Sequence, residues 1–337
     1  MEVLKHTTAK EASVGEVSTI GLDLAKTVFQ AHGADETGAV VFRKKLRRGQ
    51  VLAFFAGQPR CLVAMEACAG AHYWAREIGA LGHETRLIPP AYVKPFVKRQ
   101  KNDMADAEAI CEAAQRPTMR FVTPKSAETQ AAATVFRVRD LLVRQRTQLI
   151  NALRGHLAEY GMVVRQGVEN ARKLIDLVVD PTSELPDDAR STLEVLTQTL
   201  LALQTRIAVL DVEIARRAKT NALAKRLMTI PGVGPVAATA LVALAQAPLQ
   251  HSSGGKERLG RTSKMGERTL RRLLIIGASS AAKAAADKGA PTDTWLGRML
   301  SRKPRMLVVV ALANKMARIA WVLMAHGGLY KAPAAAA

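Results

Sequence analysis

The sequence is poor in cysteine and has no long uninterrupted apolar run, and each shortage excludes a class of protein. Three cysteines among 337 residues, without metal-ligand spacing, argue against a disulfide-stabilised secreted domain and against a zinc site. The longest apolar segment, residues 306–324, is interrupted by an asparagine and two basic residues, which favours a packed core helix over a membrane span. Because no signal peptide opens the chain, we expect a cytoplasmic protein with no membrane partner.

Acidic residues are also scarce compared with basic ones. The chain has 29 Asp and Glu against 49 Lys and Arg, which gives a formal net charge of +20 at pH 7. A surface of this charge attracts phosphate backbones without reading their sequence. Hydrophobic residues make up 48% of the chain, enough for the cores of two or three domains. The composition therefore predicts a protein that binds nucleic acid.

The hydrophobic pattern divides the chain into five parts. They are a flexible tail at residues 1–16, an α/β domain at 17–125, a helical region at 126–220, a mostly α-helical domain at 221–330 and a tail at 331–337. In the α/β domain the pattern predicts strands ending at Phe29 and over residues 39–42, 61–66 and 85–88, and helices over 73–81 and 101–110.

Four acidic residues of the α/β domain are the main candidates for catalysis. Asp23 and Glu66 each end a run of apolar residues typical of a strand, where a carboxylate is costly unless it is paired or binds a metal. Asp103 and Asp106 follow in an alanine-rich helical stretch, and their spacing places both on one face. Taken singly, each Asp of this pair also fits an ordinary exposed acid on a helix surface.

Together the four carboxylates predict a metal site on a ribonuclease H-like fold. Strand-tip acids followed by a helical Asp pair are the layout of that fold, in which the sheet brings distant acids together. Mg²⁺ or Mn²⁺ takes oxygen ligands from carboxylates and substrate phosphate, and two such ions can clamp both sides of a displacement at phosphorus. A short basic segment holding Lys98, Arg99 and Lys101 leads into Asp103, where it would guide a phosphate to the ions or form a solvated charge run.

The helical region contains a regular apolar stripe. Its members are spaced alternately by three and four residues, as in a coiled coil: Leu193, Leu196, Leu200, Leu203, Ile207, Leu210 and Ile214. The stripe can pair with an earlier helix over residues 131–160 in an antiparallel hairpin or with a second chain, and we favour a dimer. Arginines of the earlier helix, among them Arg137, Arg144 and Arg146, are predicted on its outer face as contacts for phosphates rather than as a merely solvated face.

The C-terminal domain combines a glycine turn with a basic serine loop. Gly232 and Gly234 lie between two apolar stretches in the pattern of a helix-hairpin-helix element, whose backbone amides approach a phosphate. A tight turn without a ligand has the same sequence pattern. Further on, Ser253 precedes two glycines that would leave its hydroxyl exposed for nucleophilic attack. The cations that would neutralise the phosphate there are Lys256, Arg258, Arg261, Lys264 and Arg268.

These motifs together resemble the transposases of insertion-sequence family 110, eleven-eleven subgroup. The resemblance rests on Gly-Leu-Asp-Leu-Ala-Lys, Met-Glu-Ala-Cys, Lys-Asn-Asp-x-x-Asp-Ala, Ile-Pro-Gly-Val-Gly-Pro and the segment that begins His-Ser-Ser-Gly-Gly-Lys, and it runs over nearly the whole chain. It implies a resolvase-like domain with an Asp-Glu-Asp-Asp metal site, which falls on Asp23, Glu66, Asp103 and Asp106, and a serine nucleophile, which falls on Ser253.

The resemblance also implies partners and a location. Members of the family recombine donor and target DNA with the help of a structured bridge RNA that pairs with both. They form dimers that join into tetramers through the coiled coil. The expected location is the bacterial cytoplasm.

One departure from the family pattern concerns the segment before the serine loop. The family carries a Phe-x-x-Gly-Arg element and an Ala-Trp-Leu-Gly-Leu stretch there, whereas this chain runs directly from Ala240 to His251, which predicts an internal deletion near residues 245–251. Loss of a packed segment beside the nucleophile would misplace it. Three functions therefore remain: a recombinase with a phosphoserine intermediate, a metal-dependent nuclease or junction resolvase without one, and an inactive nucleic-acid-binding remnant.

Overall fold

The computed structural model describes residues 16–98, 103–245, 267–289 and 294–331. The chain divides into two compact units, residues 1–129 and residues 130–337. The first unit is built around a β-sheet, and the described residues of the second form helices and their connections. The predicted mixture of an α/β N-terminal part and a helical C-terminal part is therefore confirmed.

The N-terminal unit has one mixed five-stranded sheet. Its strands are β1 (Thr19–Asp23), β2 (Val28–Ala34), β3 (Val40–Arg47), β4 (Leu62–Glu66) and β5 (Glu84–Ile88). Their order across the sheet is β3-β2-β1-β4-β5, with β1, β4 and β5 parallel and β2 antiparallel to both of its neighbours. The single strand predicted to end at Phe29 is wrong, because the chain reverses after Asp23 and Phe29 lies in the returning strand β2.

Helices cover both faces of this sheet. They are α1 (Val51–Ala56), α2 (Ala71–Ala80), α3 (Pro90–Val93) and α4 (Asp103–Ala114). One face buries Ile20, Leu22 and Met65 against Trp74 and Ile78 of α2. On the opposite face α4 is the main cover and contributes Ala109 and Ile110 to a second core with Ala64 of β4 and Ile88 of β5. Because side chains alternate along a strand, residues next to Ile20 and Leu22 face α4.

The helical unit is formed by α5 (Ala127–Ala158), which begins just before the boundary, and by the helices that follow. These are α6 (Ala171–Val179), α7 (Asp187–Thr220), α8 (Ala222–Leu227), α9 (Pro235–Leu244), α10 (Arg268–Asp287), α11 (Trp295–Arg302) and α12 (Arg305–His326). The sequence pattern did not predict α6. Leu174 and Val178 of α6 are fully buried in a core shared with α5 and α7.

Helices α5 and α7 form an antiparallel hairpin within one chain. Phe136 near the start of α5 shares a core with Ile214 near the end of α7, whereas Leu157 at the end of α5 shares one with Leu193. An ion pair between Arg139 Nε and Asp211 Oδ1, 2.5 Å apart, links the same two helices. Leu203 and Ile207, in the middle of the stripe, are only 6% and 3% exposed in the single chain. The stripe is therefore the seam of an intrachain hairpin, and it no longer argues for a dimer.

The remaining helices pack around α10 and α12. Ala278 of α10 and Met316 and Ala320 of α12 are buried with Leu227 of α8 and Ala238 of α9. Two of the helices in this unit, α7 and α12, are long and apolar enough to cross a membrane by length and composition alone. Each carries a row of residues buried in the cores just described, as expected of core helices, so residues 306–324 form the predicted packed helix.

Candidate active site

Two of the four predicted acids lie side by side at one end of the sheet. Asp23 is the last residue of β1 and Glu66 the last residue of β4, and these strands are parallel neighbours with Leu22 opposite Met65. Parallel strands end at the same edge, so the carboxylates of both residues are placed there together. Each follows the alternation that turns Gly21 and Ala64 towards α4, and both acids are half-buried.

The other two acids occupy the first turn of α4, beside the end of β1. A Cβ atom at Gly21 would lie 2.2 Å from the carbonyl oxygen of Ala107 and 2.5 Å from the backbone nitrogen of Cys111. Only glycine permits this approach, which brings the beginning of α4 against the last residues of β1. Asp103 is exposed and Asp106 is half-buried. Both lie at the positive end of the helix dipole, which stabilises their negative charge.

The electrostatics of Asp23 indicate that all four acids gather at this edge. Its pKa is raised from 3.8 to about 6, first because burial disfavours the charged form and then because Asp106, Asp103 and Glu66 repel it. Mutual repulsion among half-buried carboxylates is the condition that a bound divalent cation relieves. Oxygen donors of this kind fit Mg²⁺ or Mn²⁺ better than softer metals.

The four acids are close enough to repel one another but do not form a finished coordination shell. Within the parts of the chain that the structure describes, no three His, Cys, Asp or Glu side chains converge closely enough to hold a metal ion. Repulsion between the acids and the absence of a ready metal site are compatible, because charges repel one another across about 4–6 Å or more, whereas Mg²⁺ binds oxygen at about 2.1 Å. The electrostatics thus locate the acidic cluster, and ligation requires the side chains to move closer together.

Lys98, predicted to guide a phosphate to this cluster, has an acidic partner of its own. Its ammonium group forms an ion pair with Glu108 of α4, which Arg43 of β3 also approaches at 3.3 Å. The Lys98 hydrogen bond and charge lower the pKa of Glu108. Arg99 and Lys101 lie outside the described residues.

The arginines of α5 differ from one another in exposure. Arg137 is exposed, Arg144 is exposed and lies 3.5 Å from Asp140 in an ion pair, and Arg146 is partly buried. The Nε atom of Arg146 has no hydrogen-bond partner among the residues that the structure describes. The prediction that the arginines of this helix lie on its outer face is therefore wrong in part, because Arg139 forms an ion pair with Asp211 inside the hairpin.

The two glycines of the turn in the C-terminal part, Gly232 and Gly234, differ in their surroundings. Gly232 has a φ of +85°, and a Cβ there would lie 2.6 Å from the carbonyl oxygen of Gly277 in α10, so packing alone accounts for this glycine. Gly234 precedes α9 and faces open space, where a phosphate could approach its backbone. Arg268 is exposed at the start of α10. Outside the described residues lie Ser253, Lys256, Arg258, Arg261 and Lys264.

Two basic residues that the sequence did not single out lie at the same end of the sheet as the acids. Lys26 is in the turn between β1 and β2, three residues after Asp23. Arg48 follows the end of β3, and its backbone amide donates a hydrogen bond to the carbonyl of Thr27 in that turn, at 2.8 Å. Lys26 could have been found from the sequence, because it lies three residues after Asp23, whereas the position of Arg48 depends on strand pairing.

The sequence is similar to known transposases over most of its length. Residues 20–162 match the DEDD transposase family of the IS110 type, and residues 244–291 match the family described as Transposase IS116/IS110/IS902. A protein of Pseudomonas aeruginosa described as a probable family 20 transposase is 46% identical, over 94% of this chain and 99% of that protein. The transposase for insertion sequence element IS1328 of Yersinia enterocolitica is 38% identical over 93% of this chain and 98% of its own. That for IS1111A of Coxiella burnetii is 36% identical over 96% and 93%.

The alignments with these relatives are longer than the part of this chain that they cover. The Pseudomonas alignment has 334 positions, whereas 94% of a 337-residue chain is about 317 residues, a difference of about 17. The alignments of 331 and 340 positions, which cover 93% and 96% of this chain, have a similar excess. The relatives thus carry about 17 residues that have no counterpart in this chain.

Proposed function

This chain belongs to the IS110 family of transposases, and we propose that it cuts and rejoins DNA through a metal-assisted phosphoserine intermediate. The observation that carries the proposal is the cluster of Asp23, Glu66, Asp103 and Asp106 at one end of the sheet, where burial and the other three acids raise the pKa of Asp23. We assign to the sheet and α4 the ribonuclease H-like arrangement that this placement of acids is typical of. The DEDD name of the matched family agrees with the chain order of the four residues.

The four carboxylates would hold Mg²⁺ or Mn²⁺. When bound, the ions supply Lewis-acid stabilisation of the charge that develops on phosphate oxygens. The chain itself contributes the positions of the carboxylates: Gly21 sets the distance of α4 from β1, and the strand register sets Asp23 beside Glu66.

Ser253 is proposed as the nucleophile. Its Oγ would lose a proton and form a bond to phosphorus, while the bond from phosphorus to one bridging oxygen of the DNA strand breaks and that oxygen leaves as a hydroxyl. Rejoining is the reverse reaction with another strand end, so no energy source beyond the phosphoserine bond is needed. Lys256, Arg258, Arg261 and Lys264 would balance the charge of the pentacoordinate phosphate.

We further propose a structured guide RNA and a homodimer that assembles into a tetramer, in the cytoplasm of a bacterium. The net charge of +20 supports binding of both RNA and DNA. The dimer is supported by the side of α7 opposite to the buried stripe. Val195, Val209 and Val212 are there 62%, 63% and 71% exposed, an apolar face of the kind that marks a protein interface.

Two rival functions follow from specific observations. The relatives carry about 17 residues that have no counterpart in this chain, which agrees with the deletion predicted before Ser253. Such a deletion would leave an inactive DNA-binding remnant. A metal-dependent nuclease or junction resolvase would use the same four acids, with water as the nucleophile.

A covalent adduct separates the three functions. Wild-type protein and the Ser253→Ala, Ser252→Ala and Asp106→Asn variants are incubated with a nicked suicide DNA substrate and Mg²⁺, denatured, and tested for DNA bound to protein. We expect an adduct with wild type and Ser252→Ala, and none with Ser253→Ala or Asp106→Asn, although both of these still bind DNA. Cleavage by Ser253→Ala would instead establish the metal-only nuclease. Binding without cleavage by wild type, together with adduct formation by a variant that regains the relatives' extra segment, would establish the remnant.

A further inference from the structure

We infer that a cleft beside the acidic cluster binds a backbone phosphate of the DNA strand, through Lys26 and Arg48, next to the phosphate that reacts. This inference rests on the proposed function and names a substrate contact for it. The cleft has a volume of about 380 Å³, and its lining includes Leu24, Lys26, Arg48, Cys68, Gly70 and Trp74. We call it the strand-end cleft.

Strand order places the strand-end cleft at the acidic end of the sheet. Leu24 and Lys26 follow Asp23 at the end of β1, and Cys68 and Gly70 follow Glu66 at the end of β4. Strand β3 runs antiparallel to β2, with Arg47 opposite Val28, so the end of β3 returns to the same edge and delivers Arg48 there. Three strands and two turns thus contribute to one cleft.

The charge in the strand-end cleft is positive and not neutralised. Among the described residues, neither Lys26 nor Arg48 forms an ion pair with an acid, whereas Arg43 and Lys98 are both paired with Glu108. Two unpaired cations beside a cavity attract a phosphate, and the planar guanidinium group matches two phosphate oxygens at once. A ligand with the negative charge of a phosphodiester is therefore the one that this lining fits.

Aromatic contacts hold Arg48 in position. The centre of its guanidinium group lies 5.1 Å from the ring centroid of Trp74 and 5.9 Å from that of Phe29. Trp74 and Phe29 are buried and touch edge to face, with centroids 5.1 Å apart, so they form a fixed support. A cation held in this way loses less side-chain entropy when it binds a phosphate than a freely rotating one.

Cys68 connects the strand-end cleft to the acidic cluster. Its thiol lines the cleft, and Cys68 follows Glu66, the last residue of β4, by two residues. A DNA strand that crosses this edge can present one phosphate to the acids and a neighbouring one to Lys26 and Arg48.

Cys68 also supplies the test, since it is the one exposed cysteine of the three and Cys61 and Cys111 are buried. The full chain is alkylated with N-ethylmaleimide, with and without an excess of a four-way DNA junction, and modification is located by peptide mass. We expect DNA to slow alkylation of Cys68 several-fold. Lys26→Met and Arg48→Met should reduce this protection, and Arg48→Lys should retain only part of it, because an ammonium group keeps the charge but cannot bind two phosphate oxygens in a planar fork.

The salt dependence of DNA binding gives a second test of the phosphate contacts of Lys26 and Arg48. Each lost phosphate contact lowers the slope of log K against log salt concentration by about 0.9. Lys26→Met and Arg48→Met should each show this loss. Arg60→Met is the matched control, because Arg60 is an exposed cation of the same unit that precedes β4 and so lies at the opposite end of the sheet. It should keep the wild-type slope and protection.

The outcomes separate this inference from the proposed function. Absence of DNA binding by the wild type would overturn both. Binding with an unchanged Cys68 alkylation rate, or equal slope losses in Arg48→Met and Arg60→Met, would overturn the inference alone, since only bulk charge would then matter. Protection of Cys68 by an RNA duplex but not by DNA would overturn it as well.

Discussion

Replacement of Asp23 with Asn is expected to stabilise the N-terminal unit at neutral pH while it abolishes DNA cleavage. Burial first, and then repulsion by Asp106, Asp103 and Glu66, raise the pKa of the Asp23 carboxyl from 3.8 to about 6. One pKa unit corresponds to about 1.4 kcal/mol, so the charged carboxylate costs at most about 3 kcal/mol of stability. Because solvent still reaches part of the group, we expect a gain of about 1–2 kcal/mol from the neutral amide.

The sign of the pH dependence follows from the direction of the shift. An acid whose pKa is raised by folding binds its proton more tightly in the folded protein, so its charged form weakens the fold. The wild type should therefore lose stability relative to Asp23→Asn as the pH rises from about 4 to about 6, and the difference should stay constant above that range. Below about pH 4 the two proteins should be equally stable.

Urea unfolding in metal-free buffer between pH 4 and 8 measures this difference. The fluorescence of Trp74, which is buried in the N-terminal core, reports on the correct unit when Trp295 and Trp321 are replaced by Phe. Asp35→Asn is the control with the opposite sign, because hydrogen bonds from Thr37 lower the pKa of Asp35 and its charged form stabilises the fold. An Asp23→Asn variant that is no more stable than wild type at pH 8 would refute the reasoning that the four acids repel one another.

Two further perturbations examine the fold around the acids and the surface of α7. Gly21→Ala inserts a methyl group 2.2 Å from a backbone oxygen of α4, so we expect it to lower the free energy of unfolding by about 1–3 kcal/mol and to abolish cleavage. Urea unfolding and DNA nicking measure these two effects. Gly49→Ala, where the added methyl group meets no atom within 4 Å, should change neither. Replacing both Val209 and Val212 with Lys should leave the helical content intact and lower the mass measured by light scattering, and an unchanged mass would exclude this face as the dimer contact. Leu203→Glu, which places a charge inside the hairpin, should instead unfold the hairpin.

The acidic cluster could be foreseen because its signals are local. An apolar run that ends in Asp23 or Glu66 marks the tip of a strand, and the spacing of Asp103 and Asp106 puts both in one helical turn. Parallel strands end at a common edge, so a fold that brings the distant acids together was predicted without knowing the strand order, and the pairing of β1 with β4 then showed that Asp23 and Glu66 end neighbouring strands.

Other features depended on pairings between distant segments, which periodicity does not encode. The spacing of the α7 stripe predicts a buried seam equally well for either partner, and only the folded chain shows that Leu203 is buried without a second chain. The pairing of Lys98 with Glu108 likewise depends on how α4 packs. Arg48 reaches the strand-end cleft because β3 returns antiparallel beside β2, so its place next to Lys26 was decided by strand order in the folded sheet. Local pattern therefore determined which residues could be catalytic, and tertiary contacts determined which charges lie beside them at the edge of the sheet, because those contacts join residues that are far apart in the chain.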